Sequence, residues 1–200
     1  MPTESTTEHL AQHYNKLLTR FGPSFSALQW HSVYTQQKRY EILLQDLTSS
    51  ISSICDIGCG CGDLFHFIKQ QRLNLNYTGI DVSANMVVAA QRAYPSGTFR
   101  CLELRDLLPN HTYDMVIASG IFNNQSPNHL NQLINTVKDM ITLARYEVRF
   151  NVLSHRTVKK EKTLVYTNPD DIIPLLRPHA NSIELVDGYL PNDVSFVIQK

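Results

Sequence analysis

The sequence predicts an α/β domain: a doubly wound, mostly parallel sheet with helices on both faces. Three observations carry that prediction. Short apolar runs of strand length, around Ile54–Ile57, Asn76–Asp81 and Tyr113–Ser119, alternate with segments of helical spacing. The first run ends in glycines at alternate positions, Gly58, Gly60 and Gly62, directly ahead of a helix. The second ends in an acid, Asp81. At 200 residues the chain suits one such domain with a full three-layer core.

Taken in order, residues 1–7 carry no pattern and are expected to be disordered. Glu8–Phe21 sets Leu10, Tyr14, Leu17, Leu18 and Phe21 on one helical stripe, which Gly22-Pro23 ends. Phe25, Leu28 and Trp30 follow in an irregular apolar segment, and Trp30 reads as a core or lid anchor. A second helix starts at a Ser32 cap and turns Val33, Tyr40, Leu43, Leu44 and Leu47 inward. Both helices precede the first strand. Residues 1–50 are therefore expected to form a cap or lid packed on a core of residues 51–200.

The segment DLFHFIKQQ after the glycines has helical spacing, and Ser83 caps a further helix with Met86, Val87 and Ala90 on one face. Thr98–Leu104 reads as a third strand, with 105–110 as the loop after it. Tyr113–Ser119 is apolar enough to be a central parallel strand. Pro127–Thr142 is an amphipathic helix and Arg145–Leu153 a fifth strand. Ser154–Tyr166 is polar and basic, hence loop. Pro169–Leu176 is a short helix ended by Arg177-Pro178. Ser182–Val186 and Asp193–Ile198 form a closing hairpin around the turn-rich DGYLPN.

Composition excludes several classes. Lys+Arg and Asp+Glu balance at 18 each, which leaves no basic footprint for nucleic acid or for an anionic membrane. No apolar run reaches membrane-spanning length, and MPTESTTEH lacks the features of a signal peptide, so a cytoplasmic protein is expected. Cys55, Cys59, Cys61 and Cys101 show no zinc spacing and read as reduced thiols, with no metal site expected. Cys59 and Cys61 lie so near the glycine loop that alkylation is expected to block ligand binding.

Strand, glycine turn and helix start make a ligand site for physical reasons. Glycine permits positive φ and close backbone approach. The carboxyl ends of parallel strands are where open sheets bind ligands. The dinucleotide fingerprint G-x-G-x-x-G fails here because its third glycine is Asp63, an acid unfavourable beside a pyrophosphate. The loop suits a ligand without phosphate at that point. Asp81, at the tip of the second strand, can accept both hydroxyls of a ribose.

DIGCGCG (Asp56–Gly62) and NYTGID (Asn76–Asp81) resemble the leading motifs of the class I S-adenosylmethionine-dependent methyltransferases. The resemblance implies a Rossmann-like three-layer sandwich with a seven-stranded, mostly parallel sheet, an antiparallel C-terminal strand and an N-terminal helical addition. It implies S-adenosyl-L-methionine as cofactor, with Asp56, Gly58, Cys59, Gly60 and Gly62 toward its amino-acid end. Asp81, Val82 and Met86, then Glu103 and Leu104, then Ser119 and Gly120 complete the expected contacts. Glu103, preferred to Asp106, would accept from the adenine amino group. Arg39 is expected to pair with the cofactor carboxylate or with a surface acid.

The Asn/Asp-Pro-Pro-aromatic motif of base-methylating enzymes is replaced by Asn123-Asn124-Gln125-Ser126, which removes a nucleic-acid substrate. The whole chain also resembles a narrower group of small, uncharacterised methyltransferase-like proteins. The shared features are Trp30, Gln36 and Arg39, then YTGID, ASGIFN, FNVLS and a final strand preceded by DGY. In-line methyl transfer needs alignment more than a catalytic set, and no catalytic set is evident. Tyr14, His31, Asn123, Asn151 and His155 are the candidates placed to reach an acceptor. The expected activity is methyl transfer to a small molecule, with a protein side chain as second choice. The rival readings are a non-catalytic S-adenosylmethionine-binding module and a nucleotide-cofactor oxidoreductase.

Overall fold

The computed structural model describes residues 6–24, 26–28, 31–108 and 112–200. The expectations for Phe25 and Trp30 lie outside the described residues. Seven strands, β1 (Ser53–Ile57), β2 (Asn76–Asp81), β3 (Thr98–Cys101), β4 (Tyr113–Ala118), β5 (Ala144–Leu153), β6 (Ser182–Val186) and β7 (Asp193–Gln199), form one sheet. Their order is β3-β2-β1-β4-β5-β7-β6. Strands β1 to β5 are mutually parallel, and β7 runs antiparallel between β5 and β6. The chain winds outward in both directions from β1. That switch point sets the carboxyl ends of β1, β2 and β4 side by side, with Ile57 opposite both Ile80 and Ala118.

The helices are α1 (Thr6–Phe21), α2 (Val33–Leu43), α3 (Asp63–Gln70), α4 (Ala84–Ala93), α5 (Leu104–Leu107), α6 (His129–Leu143) and α7 (Pro169–Leu176). Local chemistry sets several of their starts. Ser32 and Thr35 form a capping box on α2. Ser83 Oγ accepts the Met86 N–H at the head of α4, and Asn168 does the same for Asp170 at α7, where Pro169 fills the first turn.

Strand alternation divides the core into two. Ile54, Met115 and Ile117 join residues of α2, α3 and α4 on one face. Cys55, Ile57, Val116 and Ala118 join α6 and α7 on the other. Each fully buried aliphatic side chain contributes about 1.5–3 kcal/mol against about 0–1 kcal/mol for an exposed ion pair, so these two cores hold the sandwich. Beyond β4 the first face turns polar. Glu147, Arg149 and Asn151 of β5 and Asp193 and Ser195 of β7 are all buried there, near α2.

Some boundaries differ from expectation. Strand β3 stops at Cys101, because Asp106 Oδ2 accepts the Glu103 N–H (2.9 Å) and winds 104–107 into the single turn of α5. Residues 6 and 7 are helical rather than disordered. Arg177-Pro178 does not stop the chain turning: a 3-10 turn continues to His179 before β6.

Candidate functional site

Gly58 and Gly60 sit at φ +74° and +53°, conformations that cost an L residue about 1–2 kcal/mol. They fold the chain from the end of β1 back under β2. The Gly58 and Cys59 N–H groups donate to Ile80 O (2.8 and 3.0 Å), the Gly60 N–H to Asp81 Oδ2 (2.9 Å) and the Gly62 N–H to Cys59 O (3.0 Å). A phosphate-binding loop needs such groups free. Here they are used inside the protein, and the loop presents acids instead.

Two of those acids line a cavity of about 160 Å³ above the switch point, and no lysine, arginine or histidine among the described residues lines it. Asp56 is buried and accepts the Tyr77 hydroxyl proton (2.6 Å). Burial, with Asp81 and Asp63 nearby, pushes its carboxyl up to about 7 despite that hydrogen bond. Asp81 also accepts the Ser83 N–H on Oδ1 (2.8 Å). Burial raises it, and the backbone donors pull it back. Asp63, at the head of α3, is raised by burial and takes a 3.0 Å hydrogen bond from Gln36 Nε2. A site built this way favours a cation.

The cavity brings together most of the expected cofactor contacts. Asp56, Gly58, Cys59, Gly60, Asp81, Val82, Met86, Leu104, Ser119 and Gly120 all line it. Arg39, Gly62 and Glu103 do not. Gly62 is packed behind the loop, where a Cβ would meet Tyr94 and Phe99 at 2.9–3.0 Å. Glu103 is exposed at the head of α5, while Leu102 and Leu104 on either side of it face the cavity. Arg39 donates from Nε to Asp193 Oδ2 (2.6 Å) and its Nη2 pairs with the same carboxylate, both side chains being buried. Its partner acid is thus internal, neither ligand nor surface.

A second cavity, about 710 Å³, lies beside the first. The two share Tyr14, Leu28, Gly120 and Asn124 as a common wall. Of the acceptor-side candidates, Tyr14 stands in that wall and His31 and Asn123 line the second cavity; Asn151 and His155 reach neither. Asn151 is fully buried behind the β4 end, accepting the Gly120 N–H on Oδ1 (3.1 Å) and donating to Asp193 Oδ1 (2.8 Å). Tyr189 donates to the same Asp193 oxygen (2.6 Å). The Arg39–Asp193–Asn151 chain thereby fixes Gly120 from behind, a positioning role. Asn124 was missed as a candidate. Its Nδ2 donates to the Tyr14 hydroxyl (2.9 Å) and ties α1 to the β4 loop. Its place next to Asn123, at the carboxyl end of β4, was the available signal.

The cysteines are less reactive than their position suggested. Cys59 and Cys61 are buried, and burial raises both thiols, Cys61 to about 12. Cys101 is exposed. Among the described residues no group of three or more His, Cys, Asp or Glu could hold a metal ion, and no helix is long and apolar enough to cross a membrane.

Fold and cavity together define a doubly wound α/β protein whose switch-point cavity is lined by acids, with its loop N–H groups already used inside the protein. Known proteins then place it. A family model described as a methyltransferase domain matches residues 55–142. A Mycobacterium tuberculosis protein named as a methyltransferase is 30% identical over 158 residues, which cover 74% of this chain and 93% of that one. The malonyl-[acyl-carrier protein] O-methyltransferase of Acetivibrio thermocellus is 30% identical over 129 residues; the match covers 61% of this chain and 44%, less than half, of that protein. Among solved structures, the magnesium protoporphyrin IX methyltransferase of Synechocystis with bound S-adenosylmethionine has the same fold. Its TM-score is 0.71 at 17% identity, covering 100% of this chain and 99% of that one. The chain belongs to the class I S-adenosylmethionine-dependent methyltransferases.

Proposed function

We propose that the protein transfers the methyl group of S-adenosylmethionine to a small molecule seated in the second cavity. The observation that carries this reading is an acid-lined nucleoside site joined through a four-residue wall to a larger chamber. The residues present fit the cofactor. Asp81 has lone pairs left for a ribose diol after its backbone bonds. Asp56 suits an ammonium group. Ser119 Oγ, buried without a hydrogen-bond partner among the described residues, leaves a polar atom for the ligand to satisfy. Val82, Met86, Leu102 and Leu104 offer an apolar slot for a base.

The cofactor supplies an electrophilic methyl on a sulfonium whose departure leaves a neutral thioether. The protein's part is alignment and the exclusion of water. In the expected cap of residues 1–50, Leu10 and Tyr14 of α1 close the first cavity, and Leu28 lies over Gly60. The malonyl group named for one relative is a small acyl group, carried there on an acyl-carrier protein. A nucleotide-cofactor oxidoreductase is disfavoured by the acids where a pyrophosphate would sit.

Calorimetric titration with S-adenosylmethionine, S-adenosylhomocysteine and NAD tests the reading. Both sulfur compounds are expected to bind, NAD not to bind, and Asp81→Ala to abolish binding. Binding of NAD alone would sink the proposal. A protein that binds S-adenosylmethionine but releases no S-adenosylhomocysteine with any acceptor is the non-catalytic module instead.

A further inference from the structure

We propose that the second chamber is a site for a small carboxylate-bearing molecule, anchored at its outer wall by Lys159 and Lys160. The inference deepens the methyl-transfer reading by naming the class of acceptor, and it rests on that reading for the word acceptor alone. The two cavities have opposite charge character although the chain as a whole is neutral. The first is lined by acids and, among the described residues, by no cation. The second has Lys159, Lys160 and His31 on its wall, against Glu161 as the one carboxylate among its described lining residues. Arg39 also lines it, but its charge is matched by Asp193. The Lys160 ammonium lies 5.6 Å from the centre of the Tyr166 ring, which holds it against the same wall. A concave site in which one sign of charge predominates concentrates ligands of the other sign.

The inner wall points the same way. Of Tyr14, Leu28, Gly120 and Asn124, none can serve as a base. The Tyr14 hydroxyl accepts from Asn124, and no described residue takes its proton, so it is a donor toward the chamber. Burial keeps that phenol protonated. A neutral alcohol or an ammonium reaching this wall must lose a proton, and none of these four residues is a base that could take it. A carboxylate is already ionised at neutral pH and meets a donor there. Lysines outside, a phenol donor inside and room between them describe a site for a carboxylate.

The test uses two probes of the same shape and different charge, terephthalate and its neutral diamide, titrated calorimetrically into the full chain. The dianion is expected to bind at least about tenfold more tightly. The Lys159→Glu/Lys160→Glu variant is expected to lose that preference, and both lysines are exposed, so folding is not at stake. Affinity for S-adenosylhomocysteine should stay within about twofold in that variant, because the lysines lie outside the first cavity. Equal binding of the two probes, binding of neither, or a preference that survives charge reversal overturns the assignment. Titrating S-adenosylmethionine into the same samples separates the two readings. Dianion selectivity without cofactor binding removes methyl transfer and keeps the anion site; the reverse removes the anion site alone.

Discussion

Replacing Asp56 by asparagine exposes a conflict between stability and function at the floor of the site. Asp56 is 3% exposed, and its carboxyl is pushed from the ordinary 3.8 to about 7 by burial first and by Asp81 and Asp63 after it. The folded chain therefore binds this proton more tightly than the unfolded chain. Stability is fully present below pH ~4 and is lost as pH rises toward ~7. A gap of about three pKa units corresponds to about 4 kcal/mol, and relaxation around the charge leaves an expected loss of about 2 kcal/mol. Asparagine keeps an oxygen for the Tyr77 hydroxyl and does not titrate. Asp56→Asn is thus expected to match the parent near pH 4 and exceed it by about 2 kcal/mol at pH 8, or about 4–8 °C in Tm. Denaturant unfolding of the ligand-free protein from pH 4 to 8.5 measures this. The same change should weaken S-adenosylmethionine binding. It should also flatten the rise in affinity, up to about tenfold per pH unit below the carboxyl pKa, that an ionising Asp56 gives the parent. Parallel stability curves for parent and variant, or a variant less stable at pH 8, would refute the reasoning.

Other perturbations have equally definite outcomes. Arg39→Met leaves the buried Asp193 carboxylate without its counter-charge and should cost about 3–5 kcal/mol in urea unfolding, only part of it recovered in Arg39→Met/Asp193→Leu, where the Asn151 and Tyr189 donors lose their acceptor. Gly60→Ala, at φ +53° with a Cβ 2.7 Å from Leu28 Cδ2, should lose about 1–2 kcal/mol of stability and weaken cofactor binding in calorimetry. Iodoacetamide at pH 8 should mark Cys101 in the native protein and reach Cys59 and Cys61 only after unfolding, read by peptide mass spectrometry; rapid native labelling of Cys59 would contradict its burial.

The half of the fold nearest the glycine loop was legible because its signals are local. β2 ends where an acid meets a serine cap, and the limits Asn76–Asp81 follow from that short stretch. The end of β3 was not legible, since Leu102 and Leu104 keep the alternation of a strand while Asp106 winds the backbone into a turn. Arg39 was misplaced for a different reason. Its partner Asp193 is 154 residues away, and no spacing rule connects α2 to the start of β7. Asn151 shows the same limit: β5 alternation puts it on the face opposite Val152, but only the sheet order reveals buried polar groups of β7 beside it. The second chamber draws on Lys159 and Tyr166 from the loop after β5 and on Asn192 from the turn before β7. The basic character of 154–166 was readable; its position facing Tyr14 was not.

A crystal structure of the protein with S-adenosylhomocysteine tests the central claim most directly. The account predicts the ligand in the first cavity, its ribose on Asp81 and its amino-acid end by Asp56 and Ser119, with the chamber beyond Tyr14 and Asn124 left open. Ligand density elsewhere, or a bound ligand touching neither Asp56 nor Asp81, would contradict it.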